Sequence, residues 1–126
     1  TVIKGDSYSV RVKTKYHADI SEPIIAVSLK NRMGVEITGT NTMFEKLSTG
    51  ECKDGDEIVA TFTQKMMLQG GDYLISLGLV GYREGNFTVY HRLYDIFNVQ
   101  VISSKDTVGY YDMDSEVQLF KNGKEI

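Results

Sequence analysis

The strongest constraint on how this chain can fold is a two-residue rhythm that returns several times. From Ser7 to Tyr16, Tyr8, Val10, Val12 and Tyr16 alternate with Ser9, Arg11, Lys13 and Lys15. An extended segment with that order shows one face to a core and the other to water. Glu57 to Thr63 sets Ile58, Ala60 and Phe62 against Val59, Thr61 and Thr63, and Phe97, Val99 and Val101 share one parity. Tyr73, Ile75, Leu77 and Leu79 form the most apolar of these runs. No stretch carries a 3.6-residue stripe, so strands rather than helices must supply the core.

Turn residues divide the runs. Pro23 precedes Ile24 to Leu29, where its missing N–H is harmless. Asn31-Arg32-Met33-Gly34 reads as a turn, and Val35 to Thr42 returns as a Thr-rich strand, which makes residues 24–42 a hairpin. Residues 41–47 have no clear period and read as a loop, while Lys53-Asp54-Gly55-Asp56 and Glu84-Gly85-Asn86 are turns. Val108 to Phe120 reads as a last strand, with Val117 and Leu119 alternating. Leu68-Gln69-Gly70-Gly71-Asp72-Tyr73 matches the pattern of a tyrosine corner, whose phenol ties back to upstream backbone. About seven short strands at such spacing make an all-β, antiparallel β-sandwich of immunoglobulin-like or jelly-roll type the expected fold.

The 126 residues suit a single domain spanning 1–126. A net charge of -3, with Lys and Arg scattered, removes the main argument for nucleic acid as a partner, because phosphate binding needs a concentrated basic face. Cys52, the single cysteine, has no partner for an internal disulfide and no neighbouring histidine to activate it, so it reads as an incidental thiol in a reducing compartment. No apolar run reaches the roughly 20 residues of a membrane-spanning helix. The start at Thr1, without an initiator Met or signal pattern, reads as that of a piece cut from a longer protein.

No catalytic constellation and no metal site stand out, and no cofactor is implied. His17 and His91 lack ligand spacing, and no phosphate loop is present. Asp112-Met113-Asp114-Ser115-Glu116 lacks the glycine of a calcium loop and reads as a solvated acidic turn. Asn86-Phe87-Thr88 is a bare sequon match.

What remains is a surplus of tyrosine, eight residues, several of them concentrated in 82–95. Tyrosine rings stack on the C–H face of a pyranose, and their hydroxyls, with nearby Arg, His and Asp, serve sugar hydroxyls. Tyr82, Tyr90 and Tyr94 are therefore the candidate stacking surfaces, and Arg83, His91, Arg92 and Asp95 the candidate polar contacts, of a carbohydrate-binding site. In a regular strand His91, Leu93 and Asp95 would share the core-facing register of Phe97. A bulge near Asp95 would reverse that assignment.

Asn31-Arg32-Met33-Gly34-Val35-Glu36-Ile37-Thr38-Gly39-Thr40-Asn41-Thr42 resembles the hairpin pattern N-x-x-G-x-x-I-x-x-x-N-T of the C-terminal domain of Wzt-type ATP-binding subunits, from ABC transporters that export O-antigen and related polysaccharides. Gly5-Asp6, Pro23, the Leu68–Tyr73 stretch and His91 to Val101 fall in the matching order. The resemblance implies a β-sandwich that binds the polysaccharide (glycan) to be exported, as a homodimer with exchanged C-terminal strands. It further implies a separate nucleotide-binding domain, contact with the transporter membrane subunit through the full-length protein, and a cytoplasmic location at the inner face of the bacterial cell membrane. Two rivals stand beside it: a structural or protein-interaction sandwich that oligomerises without sugar, and a glycosidase, which would need two carboxyls across a cleft.

Overall fold

The computed structural model describes residues 1–126 as eleven strands and no helix. In chain order these are β1 (Val2–Ile3), β2 (Ser7–Lys15), β3 (Ile20–Ser21), β4 (Ile24–Asn31), β5 (Glu36–Asn41) and β6 (Glu51–Cys52). The second half supplies β7 (Glu57–Lys65), β8 (Gly71–Arg83), β9 (Asn86–Ile102), β10 (Phe120–Lys121) and β11 (Lys124–Glu125). The expected all-β sandwich is what forms.

One layer is a five-stranded sheet in the order β1-β9-β8-β4-β5, antiparallel except where β1 joins β9 in parallel. The other is the β2–β7 ribbon, paired in unbroken register from Ser7 opposite Lys65 to Lys15 opposite Glu57. Because side chains alternate across a strand, Ile25, Val27 and Leu29 of β4 and Tyr73 and Ile75 of β8 all point at the ribbon. They meet Val12, Phe62 and Met66 there, with Val101 closing the cluster. At roughly 1.5–3 kcal/mol for each large apolar side chain removed from water, this cluster is the main favourable term holding the layers together.

Local chemistry fixes the connections. The Asn31 side-chain oxygen accepts N–H bonds from Met33 and Val35 at 3.0 and 2.9 Å, and Gly34 turns with φ 84°. The Tyr73 hydroxyl donates to the Gln69 carbonyl at 2.7 Å, the tyrosine corner expected from its spacing. Asn41 caps the turn over 42–46 by accepting from the Phe44 N–H at 2.7 Å.

Three expectations need correction. Phe97, expected in the core, does face the inner side through its register opposite Ile75, yet it is 61% exposed. The ribbon covers the sheet only as far as Val99 on β9, so the rest of that strand's inner face has no layer above it. The expected strand Val108–Phe120 does not form: over residues 108–119 there is one isolated bridge, from Tyr111 to Leu68, and pairing resumes only at Phe120 in the small β10–β11 hairpin. Alternation of Val117 with Leu119 is not enough, because a strand needs a partner and none lies alongside. Finally, Asp112 is not solvated but 3% exposed, with its carboxylate 2.7 Å from Lys4 Nζ.

Candidate functional site

The site is shaped by the side of the five-stranded sheet that faces away from the ribbon. There the alternation of β4 presents Ala26 and Ser28, with Lys30 beyond them, and that of β8 presents Ser76 and Gly78, so the middle of the floor is made of small side chains. Larger groups stand at its margins. Phe44 rises from the 42–46 turn, while Tyr82 and Phe87, at the end of the β8–β9 hairpin, pack edge to face with centroids 5.9 Å apart at 71°. Small floor and tall rim together leave a groove of about 880 Å³.

Two bulges in β9 decide which predicted residues reach it. Ile75 pairs with Phe97 but Leu77 pairs with Leu93, so Tyr94, Asp95 and Ile96 oppose the single residue Ser76. Asp95 takes φ 53°, a left-handed conformation uncommon for a non-glycine residue. This is the bulge that strand parity left open, and it turns the Asp95 carboxylate to the groove side. Tyr90 is the extra residue of the second bulge, between the pairs Leu79–His91 and Val80–Val89. Its ring lies over Gly81, where an added Cβ would come within 3.1 Å of Tyr90 Cε2.

The seven candidates therefore divide. Tyr82, Arg92, Tyr94 and Asp95 are brought together on the groove face. Tyr90 packs on the opposite side of the sheet with Gly81, and His91 shares that side through its pairing with Leu79. Arg83 sits beside the hairpin turn, in the same register side as Gly81.

Within the groove the polar groups are already organised. Arg92 donates to the Tyr94 hydroxyl at 3.3 Å. Lys30 Nζ lies 5.3 Å from the centroid of the Tyr94 ring, a cation–π arrangement, and 3.6 Å from Asp95 Oδ1. Aromatic faces beside a cation, a guanidinium and a carboxylate suit a ligand with an apolar face and many hydroxyls. Lys30, Ser76, Phe44 and Phe87 were not anticipated from the sequence. A signal for the first two did exist: the non-core parity of β4 and β8 is filled by Ala26, Ser28, Ser76 and Gly78, side chains too small to cover a sheet face.

Fold and groove together define a two-layered β-sandwich domain with a candidate ligand face on the outer side of its larger sheet. The sequence model of the Wzt C-terminal domain matches residues 1–113, and the chain belongs to that family, one of ABC-transporter export. The solved structure described as the C-terminal domain of wzt superposes with a TM-score of 0.85, covering 95% of this chain and 74% of that one at 24% identity, which shows the shared fold. Comparison with curated proteins gives no match.

Proposed function

We propose that this domain is a non-catalytic carbohydrate-binding module that recognises a cell-surface polysaccharide for ABC-transporter export, at the cytoplasmic face of a bacterial membrane. The observation that carries the reading is the groove itself: Tyr82 and Tyr94 supply aromatic surface over a floor of small residues, with Lys30, Arg92 and Asp95 at its side. Family membership supports the same assignment. Asp95 is tied to Lys30 and Ser76, which suits an acceptor of sugar hydroxyl hydrogens better than a nucleophile.

The working unit in this reading is a homodimer built by exchange of C-terminal segments. Val117, Leu119, Phe120 and Ile126 are 57–75% exposed, and none belongs to the core cluster. A second cleft of about 850 Å³ lies between β5 and β7, lined by the core residues Ile25, Val27, Leu29 and Phe62 and bordered by the unpaired edge of β7. An unpaired edge beside apolar surface accepts an added strand.

Calorimetric titration of the domain with surface polysaccharide from the source organism tests the reading. Binding that Tyr94→Ala weakens is expected. A folded domain that binds nothing at millimolar saccharide would sink it.

A further inference from the structure

Asp95 is the one groove residue held in a strained backbone conformation, and the residue that holds it is Ser76. The Ser76 hydroxyl, 7% exposed, accepts the Asp95 N–H at 2.9 Å and donates to Asp95 Oδ1 at 3.3 Å, so a single side chain grips both backbone and carboxylate. The same Oδ1 faces Lys30 Nζ at 3.6 Å. That is well beyond the about 2.7–2.9 Å of a closed charge-assisted hydrogen bond. Ammonium and carboxylate are thus held side by side with donors and acceptors to spare. Lys30 is steadied from below by the Tyr94 ring.

We propose that the Asp95 bulge is a positioning device for the saccharide. Ser76 presents Asp95 and Lys30 as a fixed acceptor–donor pair for two neighbouring sugar hydroxyls, one donating to Asp95 and the other accepting from Lys30. Ser76 is the positioning residue; Lys30 and Asp95 touch the ligand. The inference rests on the carbohydrate reading and adds to it the polar centre of the site. It also accounts for a left-handed Asp in a long strand, because strain of this kind persists only where surrounding contacts impose it, and it clusters at binding sites. The rival explanation is that the bulge only disrupts an open sheet edge, since β9 beyond Ile102 and Val101 has no neighbour on its β1 side.

Asp95→Gly separates the two explanations, because glycine keeps the left-handed backbone without strain and removes only the carboxylate. The probe is an oligosaccharide of a few repeat units released from the source organism's surface polysaccharide, titrated by calorimetry beside a thermal melt. Wild type should bind; Asp95→Gly and Lys30→Met should each lose about tenfold or more in affinity with the melting temperature kept. Ser76→Ala should weaken binding alone but add nothing on the Asp95→Gly background, a coupling that a purely structural role would not give. Asp95→Gly and Lys30→Met binding within twofold of a binding wild type overturns the inference and leaves the carbohydrate reading intact. Absence of binding by folded wild type overturns both.

Discussion

Position 39 admits only glycine, and the reason lies on another strand. A Cβ there would come within 2.9 Å of the Val27 carbonyl oxygen and 3.0 Å of Ser28 Cβ, neither of which can swing aside. Gly39→Ala should therefore lower stability by roughly 1–3 kcal/mol, read as a shifted urea midpoint. Tyr73→Phe should cost about 1 kcal/mol by the same measurement, because it strips the Gln69 carbonyl of its donor. Burial, with Asp106 adding to it, also raises the Tyr73 phenol above its usual range, so the bond stays a neutral one through ordinary pH. The two residues differ in legibility. Tyr73 announces itself through local spacing after a glycine turn, whereas Gly39 is explained only by a neighbour eleven positions away in Ser28.

At the scale of elements, the segment after β9 is fastened by one buried ion pair. Lys4 Nζ donates to Gln69 Oε1 at 2.9 Å and to the Lys105 carbonyl, and sits 2.7 Å from Asp112 Oδ2 as an ion pair. Bonding to Lys4, helped by the Asp114 N–H, holds the Asp112 carboxyl down at about 2, against an ordinary 3.8. A depressed carboxyl contributes its stability above the ordinary value and loses it as pH falls through the depressed one. The protection factors of the Asp112 and Asp114 amides, measured against the intrinsic exchange rate at each pH, should accordingly fall as pH drops from about 4 towards 2, before those of the β4–β8 amides respond. Protection at Asp112 and Asp114 that outlasts pH 2 unchanged would refute this anchoring role. Lys4→Met should loosen the segment even at neutral pH, because it leaves the buried carboxylate with only the exposed Lys105 ammonium, 3.4 Å away, as countercharge. None of this was readable from Asp112-Met113-Asp114, since acidic residues in a row look solvated until a lysine more than a hundred positions earlier is brought to them. The strands were far more legible: β2, β4, β5, β7 and β8 fall where two-residue alternation and turn residues put them. In β9 the alternation puts Tyr94 on the right side, but two bulges with three extra residues, which no periodicity reports, turn Asp95 to the groove and Tyr90 away from it.

For the whole molecule, the least settled feature of the single chain is its apolar end. Cutting after Asp114 removes Val117, Leu119 and Phe120 but none of the core cluster. If the proposed dimer forms through this end, the shortened domain should keep its melting temperature within a few degrees while its sedimentation mass falls from two chains to one. An unchanged mass would show that the tail does not join the copies. The layered architecture could be read from sequence because it needs only period and punctuation. Where the layers stop could not, and the exposed Phe97 follows from the narrowness of a two-stranded second layer rather than from anything in its own run.

The alternation of β4 has one more implication. Ile25, Val27 and Leu29 serve the interior, and the intervening Ala26, Ser28 and Lys30 serve the groove, so two sets of demands are written on interleaved letters of one strand. Changing Ala26 or Ser28 recontours the groove floor from the side of the strand that the interior does not use. Under the proposed function, the scaffold is thereby free to be refitted to a different cargo one side chain at a time.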